Sequence, residues 1–135
     1  MGVNDSRTKA GPYVLVVDDE PIVLQSLQLI LGHAGYTCAA CSNGNTAIQA
    51  LESGMPLRLA IVDLLLPDLT GEHVLTRARE LRPELPLIAM SGFGARLSKS
   101  RESLPLDGFL TKPFVREELL ELVQQVLGAT AQEGS

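Results

Sequence analysis

Residues 13–21 read YVLVVDDEP: a run of Val and Leu, then three carboxylates in a row, then a proline. The run Tyr13–Val17 is short and apolar, as a strand buried on both faces is. Asp18, Asp19 and Glu20 stand where that strand emerges, and Pro21 suits the first turn of a helix. The pattern repeats outward along the chain. Val23, Leu27, Ile30 and Ala34 recur at helical spacing, and "GHAG" ends that helix. Thr37–Cys41 reads as a second strand, and "SNGN" caps a helix carrying Ala47, Ile48 and Leu51. "LRLAIVD" is a third strand and "LLLPDLTG" a loop, followed by a helix through Val74, Leu75, Ala78 and Leu81. "LPLIAM" is a fourth strand and "DGFLT" a fifth. Val115, Leu119, Leu122 and Val126 stripe a last helix, after which about eight polar residues are expected. Strand and helix alternating five times give an α/β fold, a parallel sheet with helices on both faces.

The bulk composition is that of one globular domain. The chain has 135 residues, 45% of them hydrophobic, few aromatic, and a net charge of −5. That charge argues against direct binding to nucleic acid or an acidic membrane surface. No stretch reaches the roughly 18–20 apolar residues of a membrane span, so no membrane insertion is expected. The polar N-terminus lacks the apolar core of a secretory signal, which makes a cytoplasmic location the expectation. "CAAC", Cys38 to Cys41, matches a C-x-x-C redox or metal pattern. On a strand, however, an offset of three sends the two side chains to opposite faces. His33 and His73 stand alone on helices with no second ligand at metal spacing.

In open parallel sheets ligands bind beyond the carboxyl ends of the strands. Reading off those ends gives Asp18, Asp19 and Glu20 after strand one and Asp63 after strand three. Ser91 follows strand four and Lys112 strand five. Each has a bland reading alone: a cap, a turn residue, a solvated charge. Together they converge on one edge.

With "VVDDEP", "IVDLLLPDLTG", "AMSG" and "FLTKPF" in that order, residues 13–127 resemble the receiver domain of two-component response regulators. The resemblance implies a single doubly wound (βα)5 domain of the flavodoxin-like, CheY-like kind, with strand order 2-1-3-4-5. The domain is taken as residues 12–128, between polar tails at 1–11 and 129–135. It implies that Asp63 accepts a phosphoryl group from a phosphohistidine of a sensor histidine kinase or histidine phosphotransfer protein. Asp19 and Asp63 would ligate Mg2+ directly, with Mn2+ as a substitute. The Leu65 carbonyl would be a third ligand and Asp18 would act through water, while Glu20 is no essential part of the set. Ser91 and Lys112 would contact the phosphoryl oxygens. Ser91 and Phe109 would form a switch acting on the surface around strands 4–5 and helices 4–5. On the residues alone, Phe109 is simply core. A cis bond is expected at Lys112–Pro113.

The chemistry agrees with the resemblance. Asp63 must attack an anionic group beside other carboxylates, and two unit charges 4–5 Å apart repel by roughly 4 kcal/mol at an effective dielectric of 20. A counter-charge is needed, and an all-oxygen site suits Mg2+. The resemblance also implies two variable positions near the acyl phosphate that affect its lifetime. Here they are Leu65 and Phe93, both apolar, so hindrance of an attacking water and a slow loss of the phosphoryl group are expected. "GARLSKSRESLP" holds the place of the fourth helix with little apolar periodicity, as either a short helix or a surface loop.

Three rivals remain. A haloacid-dehalogenase-like phosphatase also phosphorylates an Asp but carries D-x-D after its first strand. A flavodoxin-like flavin carrier needs a first loop that cradles phosphate, which three carboxylates would repel. A receiver-like module that signals without phosphorylation need not keep Asp63, Ser91 and Lys112 together. The chain is therefore read as a signalling domain, not an enzyme beyond self-phosphorylation and autodephosphorylation. A downstream output protein or domain is expected, and a phosphorylation-dependent homodimer is one form the resemblance allows. "LPLIAMSGFG" and "DGFLTKPF" look most like the receiver portion of a hybrid histidine kinase.

Overall fold

The computed structural model describes residues 12–92, 104 and 106–134, with the backbone alone for 129–134. Strands β1 (Tyr13–Val17), β2 (Cys38–Cys41), β3 (Leu57–Asp63), β4 (Leu87–Gly92) and β5 (Gly108–Lys112) pair in parallel, in the order β2-β1-β3-β4-β5. Helices α1 (Pro21–His33), α2 (Gly44–Glu52), α3 (Gly71–Leu81) and α4 (Arg116–Gly134) complete the described elements. "GARLSKSRE" at 94–102, most of the expected fourth-helix segment, lies outside the described residues, and so does Phe93.

Side chains alternate across the sheet, and two apolar layers result. Leu15, Val17, Ala60, Val62, Leu87 and Ala89 pack with Ala47 and Leu51 of α2 and Val74, Leu75 and Ala78 of α3. Val14, Val16, Leu59, Ile61, Ile88 and Met90 pack with Leu27 and Leu31 of α1 and Leu119, Val123 and Val126 of α4. The central strands are thus buried on both faces, which is why they read as unbroken apolar runs.

The elements differ from the sequence reading in several details. β4 and β5 extend to Gly92 and Lys112, so Ser91 and Lys112 lie within the strands and do not follow them. On α1 the buried positions are Leu27 and Leu31, and Ala34 is exposed at the C-cap. Val115 precedes α4 and is 58% exposed, and the buried stripe of that helix is Leu119, Val123 and Val126, with Leu122 half-buried beside it. The last helix also continues to Gly134, because the polar segment after Val126 contains no proline to stop it.

The C-x-x-C pair sits as strand alternation requires. Cys38 packs with the α1/α4 layer and Cys41 with the α2/α3 layer, and both are free thiols. Burial pushes the Cys38 thiol up to about 11, which makes it a poor nucleophile.

β1 and β3 are neighbours whose chains leave in opposite directions, β1 toward β2 and β3 toward β4. Their carboxyl ends therefore open a crevice at the switch point, and Asp18 and Asp63 stand there.

Candidate functional site

Three strands deliver the charged groups. Asp18 follows β1 with its side chain fully buried, Asp63 closes β3 at 3% exposure, and Asp19 beside them faces solvent. Carboxylate oxygens of Asp18, Asp19 and Asp63 all lie within 4.8 Å of one another, a group able to hold a metal ion. Lys112 reaches in from the end of β5. Its Nζ donates to Asp18 Oδ2 at 3.0 Å, Asp63 Oδ2 at 3.1 Å and Glu20 Oε1 at 3.3 Å. The Lys112–Pro113 bond is cis, as expected.

The electrostatics follow from burial and crowding. Desolvation pushes the Asp63 carboxyl above its ordinary value of 3.8, and the nearby Asp18 charge adds to this. Hydrogen bonds from Lys112 Nζ and the Leu65 N–H pull the other way without cancelling it. For Lys112, burial disfavours the ammonium, but its bonds to Asp18 and Asp63 outweigh that and hold the pKa above its ordinary value. One ammonium thus bonds three carboxylates, Asp18, Glu20 and Asp63, with a fourth, Asp19, beside them. The surplus of negative charge and the all-oxygen donor set fit a hard divalent cation such as Mg2+.

The other predicted residues have definite places. Ser91, buried at the end of β4, shares a cleft with Asp63, and its hydroxyl donates to the Gly92 carbonyl at 3.3 Å. Leu65 is 63% exposed and its N–H donates to Asp63 Oδ1 at 3.3 Å. Phe109 lies beside Ala89 across β4–β5 and packs, half-buried, on the α2/α3 layer. His33 and His73 are both exposed, and neither belongs to the metal-capable group.

Three features escaped the sequence reading. Glu20 is the N-cap residue of α1 by position, yet its side chain makes no cap bond and pairs with Lys112 instead. The carboxylate that turns back on the helix entrance is Asp18, whose Oδ1 accepts from the Glu20 N–H at 2.9 Å. Gly71 packs against the phosphoacceptor candidate's own backbone: a Cβ there would stand 2.2 Å from the Asp63 carbonyl oxygen. Asp68, in the loop after β3, accepts from Gly44 and Asn45 at the start of α2. The "PDLTG" segment flagged a loop, but nothing in it signals a partner 24 residues away.

Known proteins resemble this chain in sequence and fold. The family profile described as the response regulator receiver domain matches residues 14–124. The transcriptional regulatory protein BasR of Escherichia coli is 33% identical over 115 residues, which are 84% of this chain and 51% of BasR. An uncharacterized 14.6 kDa protein of Leptolyngbya boryana is 33% identical, over 88% of this chain and 92% of its own length. Against most of the other relatives, as against BasR, the chain spans about half of their length. Among solved structures, a response regulator receiver protein of Sinorhizobium medicae superposes with a TM-score of 0.78 at 33% identity, covering 87% of this chain and 95% of that one. The response regulator TrrA of Thermotoga maritima, solved in complex with Mg2+ and beryllofluoride, gives 0.74 at 30% identity, covering 85% and 98%.

Proposed function

We propose, since this chain belongs to the response regulator receiver domain family, that it is a phosphoacceptor switch in which Asp63 takes a phosphoryl group from a phosphohistidine. The observation carrying this reading is the convergence of three strand ends on one point, with Lys112 Nζ bonded to both Asp18 and Asp63 inside a cluster of carboxylates.

In the transfer, an Asp63 carboxylate oxygen bonds to phosphorus as the phosphorus–nitrogen bond breaks. The imidazole leaves with that electron pair. Lys112 and the Ser91 hydroxyl would meet the oxygens of the incoming group. Asp19 and Asp63, with the Leu65 carbonyl, would hold Mg2+ or Mn2+ directly, and Asp18 would act through water. Such a cation supplies charge neutralisation and keeps Asp63 ionised, as a nucleophile must be, against the upward pull of burial. The donor's approach is through the cleft that holds Asp63, whose rim carries the exposed Ile22 and Leu65 and the half-buried Phe114. Exposed apolar side chains beside the charged centre offer area that a protein donor, a sensor kinase or phosphotransfer protein, can bury and a free anion cannot. Ser91 and Phe109 then relay the change to the surface around β4, β5 and α4, where an output partner or a second copy would bind.

Incubation with acetyl phosphate and Mg2+, followed by intact-mass measurement, tests the reading. One phosphoryl adduct is expected in the wild-type chain and none in Asp63→Asn. Failure of both acetyl phosphate and beryllofluoride to bind in Mg2+ would leave a receiver fold that signals without phosphorylation.

A further inference from the structure

The residues between Asp63 and α3 form a loop that must present Leu65 to the cation, and Leu65 itself is too exposed to be held by packing. Its backbone is instead bridged antiparallel to Thr70 across the loop, so its position depends on how that bridged turn is fastened. The base is tied by backbone: Leu64 N–H donates to Met90 O at 2.9 Å and Gly71 N–H to Leu64 O at 3.0 Å. Gly71 also lies flat against the Asp63 carbonyl, where no side chain fits.

The tip is tied by Asp68. Its Oδ1 accepts from the Gly44 N–H at 2.8 Å and the Leu69 N–H at 2.9 Å. Its Oδ2 accepts from the Asn45 N–H at 2.9 Å and from Asn45 Nδ2 at 2.8 Å. Both oxygens are thus fully used, and these bonds, led by the one from Gly44, hold the carboxyl below its ordinary range. Helix α2 already has an N-cap of its own, since Asn43 Oδ1 accepts from the Thr46 N–H at 2.9 Å. Asp68 instead serves the two N–H groups ahead of it, from 24 residues away in sequence. The same joint is closed by packing, because a Cβ on Gly44 would stand 2.9 Å from the Leu69 Cβ.

We infer that Asp68 is a positioning residue for the cation site: it pins the tip of the loop to α2 and so fixes where Leu65 meets the ion. The inference rests on the reading of the site given above. Without Asp68 the bridged Leu65–Thr70 turn loses its tie to α2 and can shift as a unit against the strand end, carrying Leu65 with it. Groups that orient a metal ligand typically contribute 10- to 100-fold in affinity, and a residue acting through the loop falls near the lower figure.

Calorimetric titration of the whole chain with Mg2+ alone provides the test, with Asp68→Ala, Asp68→Asn and Asn43→Ala compared with wild type. Asp68→Ala is expected to weaken Mg2+ about tenfold. Asp68→Asn, which keeps an acceptor for Gly44 and Leu69, recovers part of that loss. Asn43→Ala removes the cap of α2 without touching the loop, and leaves Mg2+ affinity unchanged. Amide exchange at Leu65 in the metal-free protein is expected to quicken in Asp68→Ala and not in Asn43→Ala. Equal weakening by Asn43→Ala and Asp68→Ala, or no weakening by Asp68→Ala in a protein that binds Mg2+, overturns the inference alone. A wild-type chain that binds no Mg2+ overturns the reading of the site, and the inference with it.

Discussion

At the amino end of the sheet, Arg79 Nη2 meets Asp107 Oδ2 at 3.0 Å, and the same carboxylate accepts the Leu87 N–H at the start of β4. Arg79 Nη1 also donates to the Pro83 and Leu85 carbonyls, while Arg82 Nε donates to Leu51 O at the end of α2. At the carboxyl end, one ammonium is divided among Asp18, Asp63 and Glu20, with Asp19 beside them. The first arrangement matches charge with charge and uses the remaining donors to close helix and strand ends. The second gathers like charges where burial makes their repulsion strongest. A fold needs the first; the second is the arrangement that the proposed cation and phosphoryl site calls for.

Removing Lys112 should break this contrast most sharply. Lys112→Ala leaves the buried Asp18 and Asp63 without their shared partner, and stripping one side of a buried pair costs about 3–5 kcal/mol. Urea unfolding without metal is expected to show a loss of that order, partly restored by Mg2+. If Mg2+ restores nothing, the carboxylates do not share a cation site. Gly71→Ala comes next. An alanine early in a helix is ordinarily stabilising, but here its Cβ would meet the Asp63 carbonyl and the Leu64 Cα, both backbone. Overpacking of this kind costs roughly 1–3 kcal/mol, and Mg2+ affinity should fall with it. Gly44→Ala, which meets only the Leu69 side chain, is expected to be milder in an unfolding titration.

The amino end supplies the counterpart. Asp107→Ala removes a half-exposed ion pair and one bond to the Leu87 N–H. A loss of about 1–2 kcal/mol is expected, mostly from the hydrogen bond. Mg2+ affinity, read by calorimetry, should not move. A change there would mean that the two ends are coupled through β4 and are not separate in purpose.

Much of this was legible in the sequence because it is periodic or terminal. Five apolar runs fixed the strands, and Asp63 and Lys112 could be read as strand-end residues with no knowledge of side-chain directions. Even so, the strand limits slipped by one or two residues at Ser91 and Lys112, because ladder pairing, not hydropathy, decides where a strand stops. Glu20 and Asp68 were not legible. Their partners, Lys112 and Gly44, are 92 and 24 residues away, and no local pattern encodes a contact of that separation. Val115 misled because spacing alone placed it on the stripe of a helix that begins one residue later.

Relieving the crowding without touching the buried members is a gentler probe. Asp19→Asn keeps the shape of the exposed carboxylate and removes its charge. The metal-free chain should melt at a higher temperature, by the equivalent of roughly 1 kcal/mol or less, since solvent screens an exposed group. In saturating Mg2+ the order should reverse, because the wild type regains a ligand. An unchanged or lower metal-free melting temperature counts against a crowded cluster.

The smallest effect is in pH. Burial holds the folded Asp63 pKa above its ordinary 3.8, so between the two values the folded chain binds more protons than the unfolded one. Stability must then fall as pH rises through that interval, opposite to the behaviour of an ordinary salt-bridged carboxylate. Asp63→Asn cannot titrate, and its stability should lack this component. The difference in urea midpoint between wild type and Asp63→Asn, followed without metal from acid to neutral pH, should therefore shift in favour of the variant as pH rises. With Mg2+ present the shift should shrink or vanish, because the cation favours the ionised carboxylate in the folded state alone. A metal-free difference that stays flat would mean that Lys112 fully offsets the burial of Asp63. The carboxyl end would then be as evenly matched as the amino end.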